Sequence, residues 1–594
     1  MNGLDSSKYL IFALIIGQYA FLGSCSLINQ YDMREDTIQT CTDPERNDED
    51  GDGLRNCEDP ECQELFLDPA NKEHAEEIYF DWLEQDPVCV GFIENQHHEL
   101  CYILDEDLDG YVGCQELDCA IQDYSYFLSH CKPTDYAGYP EFEDEFKGSV
   151  GENGNENWRI YGFSEDGAYS TSSVSLSQQS GWKITSSVSE DAPQYFIEEK
   201  GIYSKEFFHF WGNITDFIVK MRITGAEDQI VMIGIALDSL QNESFLDVPS
   251  GSIDYSKKVG MMLQLKKNGQ FRLCKRRNKK EGLNCGRWEQ SQYNFGNSTF
   301  YRINITDELV AIYIGDTEDN FELIATETDF NNPIGEKSYR PGVGRFFIVA
   351  STDKAGYEER GEVIVENFKV YQVSLDNKKS FDYSFKGEEG NPGWNGSSCS
   401  FNDTNQSMDI SWSSRIRDSC SVFIDDEISS GKFEMDYKFM VNSLVAINGV
   451  TERAYFLPGL WDPLMNFEMG MAFAAGISKD SNESSYLVFR PCTSTSPENE
   501  VKMDGYGVEK MKLNVLSGYD PEKNFAYAVF QEEQNNEWLD LFSFVYYGVA
   551  CYNLTNFGVT SKFVSSTNVF SEGSIFEVNV FGIVNSESLE SIDF

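Results

Sequence analysis

Phe433-Glu-Met-Asp-Tyr-Lys-Phe439 alternates large apolar side chains with charged ones along its whole length. Successive side chains of a β-strand point to opposite faces, so Phe433, Met435, Tyr437 and Phe439 face one way and Glu434, Asp436 and Lys438 the other. Earlier in the chain, Phe217-Ile-Val-Lys-Met-Arg-Ile223 spaces its apolar set in the same way. The two stretches belong to one ordered series of matches. Phe142-Glu-Asp-Glu-Phe146-Lys-Gly148 returns as Phe381-Asp-Tyr-Ser-Phe385-Lys-Gly387, and Gly260-Met-Met-Leu263 as Gly470-Met-Ala-Phe473. Phe271-Arg-Leu-Cys274 returns as Phe489-Arg-Pro-Cys492, and Tyr301–Ile305 before Leu309–Ile314 as Met511–Val515 before Phe525–Phe530. Gly361 opens a last strand reaching Tyr371, as Gly573 opens one reaching Ile583. So many landmarks in one order mark a diverged tandem repeat.

Around these landmarks the chain from about residue 140 is short alternating runs separated by Gly, Asn and Ser turns, with abundant Tyr and Phe. This texture predicts a mainly β protein of two tandem antiparallel β-sandwiches, over 140–374 and 379–590. The opening F-x-x-x-F-K-G, the G-M-x-[LF] in mid-domain and the closing strand Val363-Ile-Val-Glu-Asn-Phe-Lys-Val-Tyr371 resemble concanavalin A-like (laminin G-like) jelly rolls. The resemblance implies that the first and last strands of each copy pair near the chain ends.

Two further repeats precede the sandwiches. Asp48-Glu-Asp-Gly-Asp-Gly53 ends in Cys57 and Cys62, and Asp105-Glu-Asp-Leu-Asp-Gly110 ends in Cys114 and Cys119. Carboxylates at alternate positions with glycine at the sixth are what a tight loop around a hard cation requires. The expected calcium ligands are Asp48, Asp50, Asp52 and Asp59 in one loop and Asp105, Asp107, Asp109 and Glu116 in the other. The carbonyls of Leu54 and Tyr111 would supply the seventh position. Ile78, Trp82 and Leu83 give a helical apolar stripe on a charged segment between them. So small a module, spanning 41–135, depends on Ca2+ and disulfides for its stability. Its loops resemble thrombospondin type 3 repeats and related modules of bacterial surface proteins. Zinc is disfavoured, because the C-x-x-x-x-C spacing is wide and the neighbouring carboxylates favour a harder ion.

The chain begins as a secretory signal, with Lys8 followed by an apolar run from Tyr9 to Phe21 that is short for a membrane span. Leu22-Gly23-Ser24-Cys25 is similar to the lipobox of bacterial lipoproteins. That resemblance implies a signal peptide over 1–24, lipidation of Cys25, a tether over 25–40 and anchorage at the outer membrane or cell surface. Of 15 cysteines, setting Cys25 aside leaves an even number, which suits an oxidising compartment. In the acidic module each group of four allows three connectivities. Downstream, Cys274 with Cys285 and Cys399 with Cys420 are the local pairs, leaving Cys492 with Cys551.

Forty-six basic against 99 acidic residues give a formal charge of −53, which excludes nucleic acid as a partner. Against that background Lys275-Arg-Arg-Asn-Lys-Lys280 stands out. It reads either as a disulfide-closed cationic loop meeting an anionic glycan or acidic neighbour, or as a solvated hairpin tip. Nine N-x-[ST] sequons, Asn213 and Asn304 among them, read as incidental in a lipoprotein.

Catalysis finds little support. Retaining glycosidases need two carboxyl groups ~5 Å apart, and laminarinase-like jelly rolls carry them on one strand as E-x-D followed by a second Glu. Glu434 and Asp436 start such a pattern, but Lys438 and Phe439 stand where the second Glu belongs, so the two acids read as the polar face of a half-buried strand. Of the histidines His74, His97, His98, His130 and His209, only the last lies in a sandwich. Trp182, Trp211, Trp288, Trp394, Trp412 and Trp461 are sugar-stacking candidates as a class, with core positions the commoner fate. The expectation is therefore a surface-exposed calcium-binding lipoprotein. It would be anchored to a membrane by N-terminal lipid, and its lectin-like sandwiches would bind a glycan or surface protein without chemistry. The alternatives are a carbohydrate-active enzyme and a non-catalytic envelope scaffold.

Overall fold

The computed structural model describes residues 131–583 apart from a number of interior loops, together with Cys114 and Phe127. The chain divides into two compact units, Met1–Tyr136 and Ala137–Phe594. In the first unit a disulfide joins Cys114 to Cys131, and Phe127 packs on Tyr136 of the short helix Pro133–Tyr136. Both carboxylate loops, from Asp48 to Asp59 and from Asp105 to Glu116, lie outside the described residues apart from Cys114, as does Cys25.

The described residues of the second unit form four antiparallel sheets. One sheet runs Asn320–Thr326, Val310–Thr317, Thr299–Ile305, Asn213–Ile223, Gly361–Ser374, Trp182–Ser186, Ser173–Leu176. Its counterpart in the second copy runs Glu537–Tyr547, Phe525–Gln534, Lys512–Asp520, Lys432–Ala446, Val569–Ile583, Ser407–Ser413, Cys399–Asn402. The order is the same position for position. In both copies the opening strand adds to the closing one, Phe142 opposite Val370 and Phe381 opposite Val580. The partner sheets repeat likewise, with Val231–Ala236, Gly260–Leu265 and Gln270–Arg276 matched by Ala454–Trp461, Ala472–Lys479 and Ser485–Pro491. The protein is thus mainly β, a tandem pair of antiparallel jelly-roll sandwiches.

The landmark at Tyr301 is misplaced by sequence. Val219 lies opposite Tyr301 and its counterpart Met435 lies opposite Ser517, so Tyr301 corresponds to Ser517 and not to Met511. The following strand shifts by two, since Ile303 pairs Ile312 while Tyr519 pairs Ala526. Both slips are even, so they leave each side chain on its proper face, and alternation alone cannot detect them.

The alternating set decides the cores. Phe217, Val219, Met221 and Ile223 are buried against Ile233, Leu263, Phe346 and Ile348 of the facing sheet. Phe433, Met435, Tyr437 and Phe439 meet Phe456, Phe473 and Phe489 in the same way. Each such side chain contributes about 1.5–3 kcal/mol of burial. The Tyr437 hydroxyl donates to the Ala475 carbonyl at 2.8 Å, so its polar end is satisfied inside the core.

The two sandwiches also pack on each other. Trp211, Leu237, Val259 and Val343 of the first form one buried cluster with Leu516, Phe525, Tyr527 and Val529 of the second. The strand Phe525–Gln534 is consequently buried on both faces, inward through Ala526, Ala528 and Phe530 and outward through Tyr527 and Val529.

Candidate binding site

The cationic stretch lies where the strand Gln270–Arg276 leaves its sheet, closed by the Cys274–Cys285 disulfide across a register pair. Two of its cations, Arg276 and Lys279, turn inward. Glu199, on the buried strand Glu198–Ser204, accepts from Ser244 Oγ at 2.9 Å and from the backbone N–H groups of Phe245 (3.1 Å) and Leu246 (3.0 Å). This fixes the segment that presents Glu243 and Asp247. Lys279 Nζ then binds Glu243 Oε1 at 2.6 Å and lies 3.4 Å from Asp238 Oδ2. The fully buried Lys258 reaches Asp238 Oδ1 at 3.1 Å. Arg276 Nη2 meets Asp247 Oδ1 at 2.8 Å, and its Nη1 donates to the carbonyls of Ser244 and Lys258 at 3.1 and 3.2 Å. An acidic neighbour in the same sandwich thus meets the loop at Arg276 and Lys279, while Glu281 and Gly282 farther along it are exposed.

Burial alone would raise Asp238, but Lys279 and Lys258 outweigh it and hold the carboxyl well below the ordinary range. Glu243, buried beside Asp238, is pushed up to about 7 by burial and then by that negative neighbour. Ser543 of the second sandwich donates to Asp238, which carries the network across the seam.

The same hairpin borders a cleft lined by Lys275, Arg276 and Arg277, with Leu237, Val259 and Val343 as its apolar wall. The Tyr547 hydroxyl, from the second sandwich, donates to the Arg277 carbonyl at 2.9 Å and steadies the rim.

The acids of the E-x-D pattern lie elsewhere. The apolar side of that strand is core, but its other side is not solvated at Glu434, which is buried against the first sandwich. Tyr527 donates to Glu434 Oε1 at 3.0 Å, and His209 Nδ1 lies 3.2 Å from Oε2. Gly342 passes so close that a Cβ there would fall 1.7 Å from Glu434 Oε1. Asp436 is half-buried with an enclosed, unpartnered Oδ1, and burial raises its pKa. The half-buried strand expected here is therefore corrected at Glu434: the polar face is covered, because the tandem copy lies on it.

The other candidates scatter. Trp182, Trp211 and Trp461 are buried; Trp288 is half-buried with Arg272 4.4 Å and Lys266 4.7 Å from its ring centre. Trp394 and the side chain of Trp412 lie outside the described residues. Cys492 and Cys551 are bridged. Cys399 and Cys420 are brought into side-chain contact without an S–S bond, and burial pushes the Cys420 thiol up. The side chains of Asn213 and Asn304 are buried, and both amides donate internally, to the His209 carbonyl at 2.9 Å and to Asp216 at 3.0 Å. Neither sequon is presented for modification.

No family model matches the chain, and no curated protein matches it. Among solved structures it is similar to the carbohydrate recognition domain of Emp47p, at 10% identity and a TM-score of 0.27, over 40% of this chain and 97% of that one. It is also similar to the exoplasmic/lumenal domain of VIP36 in a Ca2+/Man3GlcNAc-bound form, at 11% and 0.26, over 38% and 91%. A carbohydrate-binding module from Bacillus subtilis, CBM66, follows at 7% and 0.21, over 36% and 95%. Scores of this size carry no inference about what this chain binds; the sandwich architecture rests on the sheet order given above.

Proposed function

We propose that this chain is an exported, lipid-anchored protein whose paired jelly rolls bind a glycan and perform no chemistry on it, held off the membrane by a calcium-stapled acidic module. The observation that carries the binding reading is the cleft beside the Cys274–Cys285 hairpin. It joins an apolar wall to cationic side chains on a disulfide-stapled edge, the combination that small-ligand sites use. The buried Glu434, with His209, Tyr527 and Gly342 around it, supports the non-catalytic part, since that carboxylate is withheld from any substrate. The lipobox residues ending in Cys25 and the D-x-D-x-D-G spacing support the anchor and the calcium. Affinity electrophoresis of the full chain through gels cast with a panel of polysaccharides tests the binding: retardation in at least one gel is expected, and uniform mobility in all of them would refute it.

A further inference from the structure

Arg276, which lines the cleft, carries one donor that no acceptor among the described residues meets. Arg276 is almost completely buried, and its Nη1 and Nη2 are committed to the Ser244 and Lys258 carbonyls and to Asp247. Its Nε is enclosed and has no acceptor among the described residues. A guanidinium stays charged and cannot discard that proton. An unmatched buried donor costs stability, which an incoming acceptor recovers. The other bonds hold the group rigidly, so little ordering is lost on binding. The cleft encloses about 40 Å3, room for a few waters or one oxyanion group and too little for a sugar ring. Lys275 and Arg277 line it on either side in sequence.

We propose that this cleft receives the oxyanion group of an acidic saccharide, a uronate carboxylate or a sulfate ester. Arg276 Nε–H is the central donor, Lys275 and Arg277 form the rim, and the sugar ring stays at the mouth. The inference rests on the glycan-binding reading and gives it a ligand class. With a formal charge of −53 the chain repels polyanions at long range, so a short oligosaccharide is the fitting probe.

Titration calorimetry of the full chain with trigalacturonate, its methyl ester, a sulfated disaccharide and its unsulfated parent tests this. At least one anionic sugar is expected to bind about tenfold or more tightly than its neutral counterpart, the size of one lost charge-assisted hydrogen bond. Whichever anionic sugar binds identifies the source of the oxyanion. Arg276→Gln is expected to abolish the preference. Because Arg276 also ties down the segment carrying Ser244 and Asp247, the rim variant Lys275→Ala/Arg277→Ala gives a second readout: about tenfold or more weaker binding in a chain whose circular dichroism shows it still folded. Equal affinity for charged and neutral sugars, or a rim variant that binds like the parent, overturns the proposal. Retention on neutral polysaccharide with no binding of either anionic sugar sinks this inference and leaves the glycan reading intact. Failure to bind any saccharide sinks both.

Discussion

Arg345 and Asp540, 195 positions apart, form a two-pronged ion pair between the sandwiches, Nη2 to Oδ1 at 2.9 Å and Nε to Oδ2 at 3.0 Å. Both side chains are almost fully buried, at 1% and 0% exposure, so the pair stands in a low-dielectric seam and not at a wet rim. Ser239 and Gln531 complete the shell of Asp540 at 2.8 Å each. Removing one partner strands the other charge in that setting. Asp540→Ala is therefore expected to destabilise the protein by about 3–5 kcal/mol, and Arg345→Met/Asp540→Leu to recover most of it. Urea unfolding of the three proteins measures this; an Asp540→Ala loss below about 1 kcal/mol would place the pair in solvent.

Gly342→Ala tests the closeness of the seam. The new Cβ would fall 1.7 Å from Glu434 Oε1 and 2.7 Å from the Trp211 ring. Both neighbours are almost completely buried. Overpacking of this kind is expected to lower stability by about 1–3 kcal/mol, read as a drop in the urea midpoint at constant slope.

Acidity acts on the seam with two signs. Burial opposes ionisation of Asp540, but Arg345 outweighs it and holds the carboxyl below its ordinary value, and Asp238 is held down likewise by Lys279 and Lys258. A depressed folded pKa adds stability above the unfolded value of about 4 and loses it as pH falls toward the folded one. Glu243 behaves oppositely, because burial and Asp238 push it up to about 7. Between about pH 4.3 and 7 the folded chain keeps a proton that the unfolded chain has released, so this group favours folding more as pH drops through that window. Thermal melts are expected to rise gently from about pH 7.5 to 5 and to fall steeply below about pH 4. Glu243→Gln should flatten the upper arm alone; an unchanged upper arm in that variant would remove Glu243 from the account.

Calcium is tested at the acidic module. If Asp48 to Asp59 and Asp105 to Glu116 hold ions, chelator should lower an early, separate transition and leave the sandwich transition in place. Superimposable melts with calcium and with chelator would contradict it.

The anchor is tested at Cys25. Mass spectrometry of the mature amino terminus is expected to find that cysteine acylated; an unmodified terminus at another residue would refute the lipobox reading.

Much of this architecture was legible because alternation reports faces. Phe433, Met435, Tyr437 and Phe439 could be assigned to a core from the sequence alone, and they are buried there. What lies beyond the other face of the same strand was not legible, because Glu434 and Asp436 look alike whether water or another sandwich covers them. A signal did exist in Phe525-Ala-Tyr-Ala-Val-Phe530, which is apolar at every position and so belongs to a strand covered on both sides. The cationic loop was visible as composition, but its partners Asp238, Glu243 and Asp247 are scattered over another segment, and only folding brings them to Lys258, Lys279 and Arg276. The even slip that moved Tyr301 onto Ser517 shows the same limit: pattern fixes the face and leaves the register open.

The central claim, binding without chemistry, is tested most directly by incubating the full chain with each retaining polysaccharide and measuring both bound protein and newly formed reducing ends. The account predicts saturable binding with no reducing ends above the protein-free control. Reducing ends that grow in proportion to protein concentration, and vanish in a Glu434→Gln variant, would contradict it.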